Sequence, residues 1–228
     1  MPAIAFAAFD PAHHDWPPLA DDALHLWLLP HRRGGRSTDA LRMGIAGYLD
    51  CAADSIELRR SAHGRPVLLR PPGRLRFSAS HSGDALLLGF TLGDCIGVDI
   101  ECRKPRPHAL QLARRYFTAD EAAALAGMSH SEREGAFYRL WTAKEALLKA
   151  IGHGLAHGLD RVGLDFVDDR LQLRELQLPP AQMESDAMIA IPPSADWHLL
   201  ECAPLPGYRA SIAYSGAARV VRGWRMTA

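Results

Sequence analysis

Residues 137–155 read FYRLWTAKEALLKAIGHGL, and their periodicity predicts a helix. At about 100° per residue, Phe137, Leu140, Trp141, Leu147, Leu148 and Ile151 gather into one apolar arc. Glu145 and Lys149 fall just beside that arc, one turn apart, where a groove between the helix and its neighbours would open. Lys144 projects into the arc itself, where an ammonium ion is costly unless an anion meets it. Gly152 follows as a C-terminal stop. The chain has only three lysines, Lys104, Lys144 and Lys149, against 23 arginines, and two of the three lie in this helix. A sequence that otherwise uses guanidinium for positive charge places compact ammonium groups here. The plain alternative is an i,i+4 surface pair between Glu145 and Lys149, worth about a few tenths of a kcal/mol.

The 228 residues are 48% hydrophobic and 23% charged, with a formal net charge of zero. This is an ordinary globular composition, long enough for one large domain or two small ones with a sizeable core. It carries no global basic field for nucleic acid or an anionic membrane, so an anionic ligand has to be met by local clusters. Cys51, Cys95, Cys102 and Cys202 show no CxxC spacing and no disulfide-framework density, so they read as packing residues in a reducing compartment. The N-terminal MPAIAFAAFD lacks a charged n-region, and no apolar run is long enough to span a bilayer. The expected location is the cytoplasm.

Upstream, strands are expected at Ile4–Phe9, Leu24–Leu29, Ile56–Arg60 and Val67–Leu69, with a helix from Ser37 or Thr38 through Leu49. The basic run Arg32, Arg33 and Arg36 is a solvated patch or a phosphate holder. His13 and His14 read as solvated loop residues. Leu75, Phe77 and Ala79 alternate with Arg76 and Ser78, a half-buried strand running into Ser80-His81-Ser82-Gly83. Ala85–Thr91 and Cys95–Ile100 are apolar enough for central strands. Thr118 with Glu121, and Ser131 with Glu134, have the capping-box spacing and are expected to open two helices. Strands follow at Val162–Phe166, Leu171–Leu178, Trp197–Cys202, Tyr208–Tyr214 and Val220–Trp224, with a loop excursion over Pro179–Asp196.

Asp99 and Glu101 flank Ile100 at the end of an apolar strand. In a strand, i and i+2 point to one face, so both carboxylates project together while Ile100 goes to the core. Two like charges side by side repel, and a cation would relieve them. Hard oxygen ligands favour magnesium, which takes one or two carboxylates and completes its shell with water and phosphate. A polar strand end neutralised by the basic segment Arg103–Arg106 is the alternative.

Five features then stand in order: Gly64-Arg65-Pro66, Ser80-His81-Ser82, Ile96–Glu101, Arg115–Glu121 and Trp141–Lys149. In that order the sequence resembles the 4′-phosphopantetheinyl transferase superfamily, in its long, two-halved, Sfp-like branch acting on biosynthetic carrier proteins. The family's motifs are a GKP-like turn, an SHS element, an (I/V)G(I/V)D(I/V)E strand, an RFF(S/T)xxE segment and a (W/F)xxKE(A/S)xxK helix. The resemblance covers Gly64 to Leu155 and is only general outside it.

The resemblance implies an α+β fold of two similar α+β halves, residues 1–94 and 95–228, forming a pseudo-dimer with the active site in the cleft between them. The N-terminal half would hold the 3′-phosphate of coenzyme A and the C-terminal half the metal and catalytic groups. It implies transfer of the phosphopantetheine arm of coenzyme A to a serine of an apo acyl or peptidyl carrier protein, with release of adenosine 3′,5′-bisphosphate. Asp99, Glu101 and Glu145 would hold Mg2+ against the pyrophosphate. Lys149 and Lys144 would offset charge on the leaving phosphate, and Glu145 is also the candidate base. Arg65, Ser80 and His81 would bind the 3′-phosphate. Arg65 departs from the family's commoner lysine, and His153 stands where a lysine is common. Carrier recognition is expected around Arg114–Met128, and the sequence does not distinguish a fatty-acid, polyketide, nonribosomal-peptide or other carrier. A cytoplasmic monomer is expected, with no nucleic-acid or membrane partner. The alternative is a non-catalytic coenzyme A or carrier-protein binding module of the same fold. A magnesium-dependent nucleotide hydrolase is more distant, since no Walker-type glycine-rich loop is present.

Overall fold

The computed structural model describes residues 4–10, 15–32, 34–35, 37–153, 157–178 and 196–226. The chain runs β1 (Phe6–Phe9), β2 (Ala23–Pro30), α1 (Ser37–Leu49), the hairpin β3 (Glu57–Arg60) and β4 (Pro66–Arg70), then β5 (Leu75–Ser82) and β6 (Ala85–Leu92). It continues with β7 (Ile96–Cys102), α2 (Ala109–Tyr116), α3 (Ala119–Ala126), α4 (His130–Ala150), the hairpin β8 (Val162–Val167) and β9 (Arg170–Leu176), then β10 (Trp197–Cys202), β11 (Tyr208–Ser215) and β12 (Val220–Met226).

The two halves repeat one plan. In the first, β2 pairs with β6 and β6 with β5. In the second, β7 pairs with β11 and β11 with β10. Each half thus runs strand, helical segment (one α-helix in the first half, three in the second), hairpin, strand, strand, with its last strand central and antiparallel to both others. Gly93, at φ +85°, makes the turn that joins them. The final strand departs from a simple division. β12 returns to the N-terminal sheet and pairs in parallel with β2 on one side and β1 on the other, giving the order β1-β12-β2-β6-β5.

Period-two alternation sorts the side chains into layers. From β2, Leu24, Leu26 and Leu28 pack with Ile96, Val98 and Ile100 of β7 and with Ala210 and Ile212 of β11 in one core between the sheets. The other face of β2 and β6 sends Trp27, Leu29, Leu88 and Phe90 against Leu41 and Ile45 of α1. Beyond the second sheet, Leu140, Ala143, Leu147 and Leu148 of α4 form a third core with Ala213 and the β8–β9 hairpin. The order of layers is α1, first sheet, second sheet, α4. Strands covered on both faces explain why β2 and β6 read as continuous apolar runs.

α4 lies directly on β7 because of Gly97. A methyl group at that position would overlap the Ala146 carbonyl and come within 2.5 Å of the Ala150 nitrogen. At the helix starts, Thr118 and Glu121 form the expected capping box. The second box is Ser129 with Glu132, so α4 begins at His130, two residues before the expected Ser131 box. Both pairs have the same i, i+3 spacing, so spacing alone does not choose between them. The Pro179–Asp196 excursion falls almost wholly outside the described residues, as do His13 and His14. α2 was not anticipated, because its eight residues ALQLARRY lack a capping residue with a side-chain bond. All four cysteines are free, and no helix among the described residues is long and apolar enough to cross a membrane.

Candidate active site

A cleft of about 490 Å³ opens where β5, β7, α4 and the start of α1 meet. Its walls come from both halves. Asp99 and Glu101 enter from β7, Glu145 and Lys149 from α4, and Ser80 and His81 from β5. Ser37 and Thr38 add the first turn of α1. Sequence spacing therefore predicted the two local geometries correctly: the paired carboxylates share a strand face, and Glu145 and Lys149 share a helix face.

β5 and β7 are edge strands of different sheets, so the edge amides of β7 need partners from elsewhere. Alternate serines of β5 supply them. Ser78 Oγ accepts from Val98 N at 3.0 Å and Ser82 Oγ from Cys102 N at 3.1 Å. The same row orients the acids. Ser80 Oγ donates to Asp99 Oδ1 and Ser82 Oγ to Glu101 Oε2, each at 2.7 Å. Ser82 was missed as a site residue, although the alternation Ser78, Ser80, Ser82 was a signal that one strand face was polar. Ser80 was expected at a phosphate; its hydroxyl instead completes a triangle with Asp99 and Lys149.

Lys149 Nζ lies 2.7 Å from Asp99 Oδ1 and 2.8 Å from Ser80 Oγ. The lysine therefore pairs across the cleft with β7, and the simple i,i+4 pair with Glu145 is not formed. Three carboxylates, Asp99, Glu101 and Glu145, face this one ammonium, so the cleft carries an excess of acidic groups. Burial, followed by the charge of Asp99, pushes the Glu145 carboxyl up to about 7. Burial and Asp99 also raise Glu101, against the hydrogen bond from Ser82.

Two buried carboxylate oxygens, Asp99 Oδ2 and Glu145 Oε1, have no hydrogen-bond partner. Buried oxygens of this kind are costly, and a hard cation between β7 and α4 would satisfy both. Among the described residues no three His, Cys, Asp or Glu side chains already close around one point. Magnesium with its habitual waters and phosphate oxygens fits this donor set better than an all-protein cage does.

His81 stacks on His31 with ring centroids 4.3 Å apart. Its pKa is lowered by burial first, then by His31 and Lys149. His31 follows β2 directly, and its approach to His81 had no local signature. Of the N-terminal arginines, Arg32 is exposed, and Arg33 and Arg36 lie outside the described residues.

Two expectations require correction. Lys144 does not reach the cleft. Its side chain is 0% exposed and pairs at 2.7 Å with Glu121, itself 2% exposed. It also donates to the carbonyls of Leu159, at 3.0 Å, and Val162, and lies over the Phe117 ring at 5.1 Å. The anion demanded by its place in the apolar arc is thus a carboxylate of α3, on the side of α4 away from Asp99. Arg65 lines the cleft with its stem, but its guanidinium turns to four backbone carbonyls: Lys149, Ala150, Phe77 and Ile96. A guanidinium so engaged has little capacity left for a phosphate.

The constellation is thus two strand carboxylates facing a helix Glu-x-x-x-Lys across a two-sheet cleft. Residues 95–203 match the family model described as the 4′-phosphopantetheinyl transferase superfamily. The Synechocystis protein slr0495 is 40% identical over 124 residues, 54% of this chain and 50% of that protein. The 4′-phosphopantetheinyl transferase HetI of Nostoc is 27% identical over 244 residues, 89% of this chain and 94% of HetI. The 4′-phosphopantetheinyl transferase Sfp of Bacillus subtilis is 35% identical over 129 residues, 57% of this chain and 56% of Sfp. Apart from HetI, the chain spans about half the length of the curated relatives it matches.

Proposed function

We propose that this protein transfers the 4′-phosphopantetheine group of coenzyme A to a serine of an apo carrier protein, as an Sfp-like member of its family. The observation that carries the reading is the convergence of Asp99, Glu101, Glu145 and Lys149 on one cleft floored by Ser80 and His81. In this reading the carrier serine Oγ forms a bond to the β-phosphorus of coenzyme A. The bond from that phosphorus to the bridging oxygen breaks, releasing adenosine 3′,5′-bisphosphate. Glu145, beside Asp99 in the same cleft, takes up the serine proton directly or through a water. Lys149 offsets charge on the departing oxygen, while Ser80 and Ser82 hold Asp99 and Glu101 in orientation. Asp99, Glu101 and Glu145 would hold magnesium, which would supply charge neutralisation at the phosphate. His81, with the first turn of α1 beside it, meets the 3′-phosphate. One chain supplies both walls of the cleft, which favours a monomer.

The experiment is incubation with coenzyme A, Mg2+ and a panel of apo carriers from fatty-acid, polyketide and nonribosomal-peptide systems, read by intact mass. A carrier that gains one phosphopantetheine supports the reading and identifies the pathway. Tight coenzyme A binding with no mass gain on any carrier would favour a non-catalytic binding module instead.

A further inference from the structure

The Arg65 side chain joins three elements, α4, β5 and β7, through their backbone carbonyls. Nη1 donates to Lys149 O at 2.7 Å and Ala150 O at 3.3 Å, the last carbonyls of α4. Nη2 donates to Phe77 O of β5 at 3.1 Å and Ile96 O of β7 at 3.3 Å. The helix end, which leaves carbonyls without intrahelical partners, is thus tied to the two strands that carry Ser80 and Asp99. Removal from water is offset by carbonyls alone, and burial lowers the guanidinium pKa from its ordinary value. A positive group at a helix C-terminus is also favoured by the helix dipole. One of the captured carbonyls belongs to Lys149 itself, whose Nζ must meet Asp99 Oδ1 and Ser80 Oγ at 2.7 and 2.8 Å.

We infer that Arg65 is a positioning residue: by holding the Lys149 and Ala150 carbonyls against β5 and β7, it sets the Lys149 ammonium at its working place across the cleft. Its role is geometric, and phosphate recognition falls to other groups. A lysine at this position keeps the charge but cannot fork to carbonyls on both sides. A glutamine keeps two donors without the charge. Neither spans the four acceptors.

The kinetic arm of the test rests on the transferase reading. Arg65→Lys and Arg65→Gln are compared with wild type for kcat, for KM of coenzyme A, and for the preference between coenzyme A and 3′-dephospho-coenzyme A. Small misplacement of a catalytic group costs about tenfold to a hundredfold in rate. We expect a loss of that size in kcat for both variants, KM changed by less than about threefold, and an unaltered preference ratio. Wild-type kcat in Arg65→Lys, together with a collapsed preference ratio in Arg65→Gln, would overturn the inference and make Arg65 a phosphate contact. The second arm needs no activity. With only three lysines in the chain, side-chain NMR of isotopically labelled lysine resolves Lys149 in the folded protein. Arg65→Gln should shift the Lys149 resonance and leave Lys104 in place; an unmoved Lys149 would refute the positioning role even if no carrier substrate is found.

Discussion

Lys144 offers the sharpest separation between structure and chemistry, because the helix that presents it also carries Glu145 and Lys149. Replacing Lys144 with Met keeps the aliphatic stem and the helix propensity but removes the ammonium. Glu121 then keeps its hydrogen bonds from Thr118 N and Leu164 N, each at 2.9 Å, yet loses its ion pair with Lys144 while 2% exposed. Two carbonyls, Leu159 and Val162, lose a donor as well. Breaking a buried pair by removing one partner costs about 3–5 kcal/mol. At about 2–4 °C per kcal/mol for a chain of this size, the melting temperature should fall by roughly 6–20 °C. Adding Glu121→Gln removes the stranded charge, so the double variant should recover a large part of the loss, with a coupling energy of about 1–3 kcal/mol in the cycle. Urea unfolding measures the stabilities, and transfer rates below the lowest melting range, normalised to folded protein, measure the chemistry. The structure requires kcat in Lys144→Met to stay within about threefold of wild type. Undiminished stability with abolished transfer or weakened coenzyme A binding would refute this and return Lys144 to the cleft.

Lys149→Ala should lower kcat by about a hundredfold to a thousandfold, the size seen when one donor to a developing anion is removed, while calorimetric affinity for coenzyme A moves little; equal losses in both would make Lys149 a plain phosphate anchor. Gly97→Ala should destabilise by about 1–3 kcal/mol, because the new methyl drives α4 off β7, and the folded fraction should transfer slowly since Glu145 and Lys149 move away from Asp99; unchanged melting and rate would contradict the close helix–strand contact. His25 is 1% exposed and bonded to Tyr48 at 2.8 Å, and burial with Arg222 lowers its pKa from 6.5 to about 4. The folded state thus binds fewer protons between these values, so its stabilising contribution is complete above pH 6.5 and drains away as pH falls towards 4, by about 2–3 kcal/mol at pH 4.5. Urea titrations at pH 7 and 4.5 should show His25→Gln losing less stability than wild type by that amount; equal losses would remove His25 from the account.

What the sequence by itself determined is whatever a side chain's direction on its own element decides. Period two put Asp99 and Glu101 on one face with Ile100 in the core. Period 3.6 put Glu145 and Lys149 one turn apart and drove Lys144 into the apolar arc, and Thr118 with Glu121 marked a helix start. The five ordered motifs gave these pieces their resemblance to a family, and the strand and helix series made two α+β halves readable. Only the tertiary structure decided which groups those directions meet. Lys144 and Glu121 are 23 positions apart, and the pair exists because α3 is docked against the far side of α4. Arg65 precedes a hairpin strand, yet its fork closes on a helix end 84 residues later. Ser82 orients Glu101 because the edges of two different sheets lie side by side, and β12 crosses back to the first sheet to pair with β2. Local backbone geometry fixes where a side chain points within its own element. Its partner depends on the packing of whole elements, which is a property of the assembled core.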